Sequence, residues 1–174
     1  MFSVKANILI DQNCHACLAD FGLLTAISDP INFVASSSIG VHGSIRWMSP
    51  ELLHPELYDL QDSRPTRESD SYALGMVIYE VLSGQIPFPQ FKEVIVMLKV
   101  IQGEHPERPE GAEGVWFTDN LWETLVQCWA IQPGNRPGIE GVLECLGQVS
   151  NSWVPLPMDE NMKEGGSDWE FELE

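Results

Sequence analysis

The sequence is poor in basic residues. Its 174 residues hold nine Lys and Arg against 26 Asp and Glu, a formal net charge of -17. A surface of that sign repels a phosphate backbone, which argues against general DNA or RNA binding, and it repels an anionic lipid surface for the same reason. Long apolar runs are also missing: nothing approaches the roughly 18 to 20 residues that span a bilayer. The opening MFSVKANILI has one base and no small-residue cleavage region, unlike a secretory leader. Four cysteines are too few for a disulfide scaffold at this length. The expected setting is cytoplasmic or otherwise intracellular, with no nucleic acid and no membrane among the partners. Apolar residues make up 44% of the chain, enough for one modest core.

Charge is unevenly spread. Residues 1–103 carry eleven acids and six bases, and residues 104–174 carry fifteen acids and three bases. The stretch MDENMKEGGSDWEFELE from Met158 has seven acids against Lys163 and no apolar period. It reads as a solvated acidic tail, with a docking peptide using Trp169 and Phe171 as the alternative. The expected division is residues 1–150 as one domain and 151–174 as the tail.

The fold class expected is mainly α with a small β-hairpin. Val4 and Ile8–Ile10 form one apolar run and Cys17–Ala19 another, with Asp11, Gln12 and Asn13 as the turn between them. A Ser- and Gly-rich loop spans about 28–43, and Pro50 opens a short helix. The clearest helix begins near Ser69 and Asp70 as cap residues and stops at Ser83-Gly84. Its residues 72–82 are apolar on nearly every face, which places it in the middle of a helical body. An amphipathic helix is expected over 91–101, then a loop over 104–117. Thr118 caps a further helix, and Pro137 sits in the first turn of the last one.

Few side chains stand out for chemistry. Cys14-His15-Ala16-Cys17 has the spacing of a zinc or redox pair but no second pair, and it falls on a strand rather than a helix start, so strand packing is the reading. His42 and His54 are single imidazoles in loops, and neither has a nearby Ser or Cys within an interpretable catalytic motif. Ser36, Ser37 and Ser38 lie in the long loop, where phosphorylation would add charge; a plain polar loop is the alternative. Asn7 and Asp20 are more specific, because a hairpin would bring their strand ends together. An amide oxygen and a carboxylate suit magnesium carrying phosphates, but from spacing alone a structural turn is the preferred reading.

Five landmarks then fall in order. They are Lys5-Ala6-Asn7-Ile8-Leu9-Ile10, Asp20-Phe21-Gly22, Gly43 to Glu51, Ser69 to Met76, and Cys128-Trp129 with Asn135-Arg136-Pro137. Together, over about residues 4–149, they resemble the C-terminal lobe of a eukaryotic-type protein kinase, nearest the tyrosine-kinase-like branch of Ser/Thr kinases. The resemblance implies that Asn7 and Asp20 hold magnesium bridging the ATP phosphates, with Phe21 and Gly22 completing the motif of Asp20. It implies an activation segment over about 20–51, with Ser44 in the part that receives the substrate peptide and Ser49-Pro50-Glu51 at its end. It implies a buried ion pair between Glu51 and Arg136. Asp70 would hold the catalytic-loop backbone, and Trp129 would be structural.

The resemblance also implies what is missing. The family's catalytic aspartate falls at Phe2 and its lysine at Val4, with Lys5 one place out of register. No catalytic residue is therefore assigned. The Gly-rich loop, ATP-anchoring lysine and helix glutamate belong to an N-terminal lobe outside these 174 residues. Two readings follow. One is a portion of an ATP-dependent Ser/Thr kinase acting on a protein substrate, with Mg2+ and ATP used by the complete domain and neither bound tightly by this chain. The other is a non-catalytic, kinase-derived module that binds an interacting protein.

Overall fold

The structure, a computed structural model, describes residues 2–5, 8–13, 15–18, 45–61, 64–111 and 116–152. The chain divides into two units, Met1–Ile45 and Arg46–Glu174.

The first unit contains a three-stranded antiparallel sheet, β1 (Phe2–Lys5), β2 (Ile8–Ile10) and β3 (Ala16–Leu18), in that spatial order. The expected hairpin is β2–β3, with Ile8 opposite Leu18, Leu9 opposite Cys17 and Ile10 opposite Ala16. Asp11 fixes its turn by side-chain chemistry. Asp11 Oδ1 accepts from the amides of Asn13 and His15, both at 2.8 Å, and the Asp11 amide donates to the His15 carbonyl at 2.9 Å. Val4 does not continue the Ile8–Ile10 run. It lies in β1, which pairs with β2 with a register irregularity between Ser3 and Lys5.

The second unit is helical. Its helices are α1 (Pro50–Leu53), α2 (Arg67–Ser83), α3 (Glu93–Ile101), α4 (Asp119–Cys128) and α5 (Ile139–Ser152). Short 3-10 turns occupy Ile45–Trp47, Pro55–Tyr58 and Pro133–Asn135. Helix α2 is the axis of the packing: it lies against α4, α4 lies against α5, and α1 lies against α3. The all-round apolar pattern of 72–82 buries Tyr72, Met76, Ile78 and Tyr79. They join Val96 and Val100 of α3, Leu121, Leu125 and Cys128 of α4, and Val142 and Cys145 of α5 in one core. Val81 remains 49% exposed on the same helix.

The start of α2 corrects the sequence reading. The helix begins at Arg67, and its cap is Thr66, not Ser69 or Asp70. Thr66 Oγ1 accepts from the Ser69 amide at 3.1 Å, and Ser69 Oγ accepts from the Thr66 amide at 2.8 Å. This reciprocal pair is a capping box in which Ser takes the role usual for Glu or Gln. Arg67 and Glu68 carry no apolar period, so counting apolar residues starts the helix too late. The stop is as expected: Gly84 has φ 71°, a left-handed conformation that favours glycine. Helix α3 starts two residues later than expected. Apolar residues occupy its outer face as well as its inner one. Helix α5 starts at Ile139, and Pro137 precedes it.

Candidate functional site

The centre of the helical unit's polar architecture is a buried ion pair. Glu51 stands in the first turn of α1, where Pro50 supplies a fixed φ at the first helical position. Arg136 follows the 3-10 turn Pro133–Asn135. Its Nη1 donates to Glu51 Oε1 at 2.7 Å and its Nη2 to Glu51 Oε2 at 2.8 Å, a fork-to-fork pair. The Glu51 side chain is 3% exposed and that of Arg136 0%.

Burial of two charges is tolerated because two further donors of Arg136 are also satisfied. Nη1 donates to the Glu68 carbonyl at 2.9 Å and Nε to the Ala130 carbonyl at 2.9 Å. The guanidinium also lies 5.1 Å from the centre of the Tyr72 ring, within cation–π range. One side chain thereby ties α1, the start of α2 and the end of α4 to the segment leading into α5. Desolvation works to raise the Glu51 pKa. The Arg136 hydrogen bonds, with smaller help from its own backbone, outweigh it and hold the carboxyl below its ordinary range. Ser49 is buried beside the pair, and its hydroxyl reaches no partner in hydrogen-bond geometry among the described residues.

A second anchor was not foreseen from the sequence. Arg46, in the 3-10 turn before α1, donates to the carbonyls of Pro87, Phe88 and Phe91 at 2.8, 2.7 and 2.6 Å. It therefore braces the turn between α2 and α3, where Phe88 takes φ 55°. Trp47 Nε1 donates to Glu80 Oε2 at 3.0 Å. Glu80 was readable in principle: it is the acid inside the apolar run 72–82, and a buried carboxylate needs a donor.

Asp70 lies in the first turn of α2, exposed as a residue, with its carboxyl pKa raised by partial desolvation. Its neighbour Ser71 donates from Oγ to the Pro137 carbonyl at 2.9 Å, a link from α2 to the entry of α5. A cleft of about 520 Å³ opens here, lined by Arg67, Asp70, Ser71, Arg136 and Gly138 among others. Trp129 is 4% exposed and stacks against His105 with ring centres 5.4 Å apart. Its indole also meets Tyr79 and Trp122 edge-on at 6.2 and 5.7 Å. Burial pushes the Cys128 thiol up to about 11, so it is an inert core residue.

Asn7, Asp20, Phe21, Gly22, Ser36, Ser37, Ser38 and Ser44 lie outside the described residues, as do Cys14, His42 and the tail from 153 on. The β2–β3 register, with Ile8 opposite Leu18, puts the strand ends that lead to positions 7 and 20 at the same end of the ladder. Among the described residues no group of three or more His, Cys, Asp or Glu could hold a metal ion. Nor is any described helix long and apolar enough to cross a membrane.

Comparison with known proteins matches residues 4–146 to the family model for protein tyrosine and serine/threonine kinases. Among curated relatives, the serine/threonine-protein kinase mos of Patiria pectinifera is 28% identical over 92% of this chain and 43% of its own length. Receptor-interacting serine/threonine-protein kinase 3 of Rattus norvegicus is 28% identical over 86% of this chain and 30% of its own length. The cytoplasmic tyrosine-protein kinase BMX of Mus musculus is 28% identical over 80% and 19%. The chain thus spans less than half the length of each of these relatives. With one mainly helical unit, one small antiparallel sheet and a family match over most of its length, the chain belongs to the protein tyrosine and serine/threonine kinase family.

Proposed function

We propose that this chain is the C-terminal-lobe portion of an ATP-dependent protein kinase whose complete domain transfers the γ-phosphoryl group of ATP to Ser or Thr of a protein. The observation that carries this reading is the buried Glu51–Arg136 fork. In the proposed role it pins the end of the activation segment, Ser49-Pro50-Glu51, to the helical body, so that the substrate-receiving segment before it, including Ser44, has a rigid base.

In the complete domain Asn7 and Asp20 would be the magnesium ligands. Their donors, an amide oxygen and a carboxylate, are the hard oxygens magnesium prefers. Magnesium bound there would neutralise charge on the ATP phosphates. Asp70 would position the catalytic loop through hydrogen bonds, and Ser36, Ser37 and Ser38 would be candidates for regulatory phosphorylation. The Arg46-Trp47 pair leans the substrate class towards Ser and Thr. The setting proposed is intracellular, with a protein as substrate or partner.

The 174 residues by themselves are proposed not to transfer phosphate. Phe2 occupies the position of the family's catalytic aspartate, so no carboxylate orients the attacking hydroxyl. That same observation favours the second reading, a kinase-derived protein-interaction module. Two measurements separate the readings. Phosphotransfer by residues 1–174 with magnesium and labelled ATP is expected to be absent. Transfer that disappears in Asp20→Ala would overturn the claim of inactivity and the module reading together. Sequencing the messenger upstream of the Met1 codon is expected to show an in-frame Gly-rich loop, a lysine and a His-x-Asp. An in-frame stop codon there would favour the module.

A further inference from the structure

Helix α3 is apolar on both sides. Val96 and Val100, four residues apart, face the core and are buried. On the other side Val94, Ile95 and Leu98 are 65%, 42% and 48% exposed. At 3.6 residues per turn these three fall within about 100° of one another, so they make one strip rather than scattered exposures. Charge beside the strip is sparse. Lys99 is held by Glu104 at 2.6 Å, while Lys92 at the N-cap is exposed. A helix apolar all round is ordinarily covered, and a contiguous exposed strip marks an interaction face.

We propose that this strip is the docking face for the chain's own acidic-aromatic segment, residues 168–174. The sequence there alternates: Trp169, Phe171 and Leu173 are separated by Glu170 and Glu172 and flanked by Asp168 and Glu174. In extended backbone such alternation puts the three apolar side chains on one side, over about 13 Å. Val94 to Leu98 rises about 6 Å along the helix, close to the roughly 7 Å between successive apolar teeth, so two of the three teeth seat on the strip at once. The interleaved carboxylates then lie along the rim, where Lys92 is the exposed base.

Reach is ample. Helix α5 ends at Ser152 and the segment begins at 168. The intervening residues extend to about 50 Å, against a radius of gyration of about 14 Å for a unit of this size. Because the segment belongs to the same chain, its effective concentration at the strip is high and a weak contact suffices. A second copy of the chain fits the strip less well. Pairing two strips would bring together chains of net charge -17 and add no base that the first copy lacks.

The test uses the full chain carrying Trp169→Ser, Phe171→Ser and Leu173→Ser, which frees the strip, and a fluorescein-labelled peptide of residues 158–174. Saturable binding is expected by anisotropy. Binding to the unsubstituted chain should be at least about tenfold weaker, because the tethered segment competes. Adding Val94→Asp and Leu98→Asp to the triple variant should abolish it. Both positions are exposed, and cooperative melting checks the fold; Val94→Ser with Leu98→Ser is the milder pair. Binding that survives both pairs, or equal binding to the freed and unsubstituted chains, overturns the proposal. So does a sedimenting dimer that the Val94 and Leu98 substitutions dissolve, which would make a second copy the occupant.

Discussion

Glu51 and Arg136 are 85 positions apart in sequence and in contact through two hydrogen bonds in a dry setting. Removing one partner leaves the other charge buried, with a cost of about 3–5 kcal/mol. Glu51→Gln and Arg136→Met are therefore each expected to lower the urea midpoint strongly. Glu51→Leu with Arg136→Met should recover much of the loss, since no charge is stranded; the carbonyls of Ala130 and Glu68 would still lack their donor. A double variant no more stable than the worse single one would sink this account. The same pair predicts a pH dependence. The folded Glu51 carboxyl is held below its unfolded pKa, so its contribution is complete above the ordinary carboxylate range. It is lost as pH falls through that range towards the depressed folded value. The Glu51→Gln chain should lack this part of the acid destabilisation, read as a flatter plot of unfolding free energy between roughly pH 6 and pH 3. Asp70 works in the opposite sense: desolvation raises its carboxyl pKa, so its protonation as pH falls favours the folded form. The partnership of positions 51 and 136 was legible only through the motif order, since nothing in local spacing links residues so far apart. The three carbonyls gathered by Arg46 were not legible at all, because a main-chain acceptor leaves no trace in the identity of its residue.

At the scale of elements, the same substitution should have opposite signs in two helices. Gly75 lies on the buried side of α2, against the end of α4. A Cβ there would fall 2.8 Å from Trp129 Nε1 and 2.9 Å from Cys128 Cβ, closer than real side chains approach. Trp129 Nε1 has no hydrogen-bond partner among the described residues, and it is turned towards this bare backbone. Gly75→Ala must separate two packed helices. The expected overpacking cost of about 1–3 kcal/mol exceeds the propensity gain of about 0.5–1 kcal/mol. Gly147, inside α5, is exposed, and a methyl group added there would meet nothing within 4 Å. Gly147→Ala should therefore stabilise by about 0.5–1 kcal/mol. Thermal melting of the two variants checks the contrast, and a shift of the same sign in both would refute the packing argument. Element reading from the sequence succeeded where one physical rule dominates. The buried centre of α2 follows from apolar residues on every face, the turn after β2 from Asp11, and the stop from Gly84. It failed at the start of α2, where capping by Thr66 and Ser69 decides and periodicity is silent. At α3 it was silent on which face is buried, because a mixed stretch of valine, isoleucine and leucine hides it.

At the scale of the whole molecule, the excess of acids sets the long-range electrostatics. The helical body has its attractive charge pair buried and little screened, whereas most of the described acids lie on exposed positions where like charges repel through solvent. Added salt should therefore stabilise this protein, because it weakens repulsion more than it weakens the buried fork. The urea midpoint is expected to rise as sodium chloride is raised from about 0.05 to 0.5 M, as the Debye length falls from roughly 14 to 4 Å. The acidic segment contributes to that slope in proportion to its charge. Asp168→Asn with Glu170→Gln, Glu172→Gln and Glu174→Gln removes four of the 26 acids while leaving Trp169, Phe171 and Leu173 in place. The variant should show a shallower salt dependence and, at low salt, a higher midpoint than the unsubstituted chain. A midpoint that falls with salt would mean that exposed ion pairs, such as Arg108 with Asp119 and Lys99 with Glu104, outweigh the net repulsion. Single exposed pairs of that kind contribute about 0–1 kcal/mol each, too little to reverse the sign expected from an excess of seventeen acids.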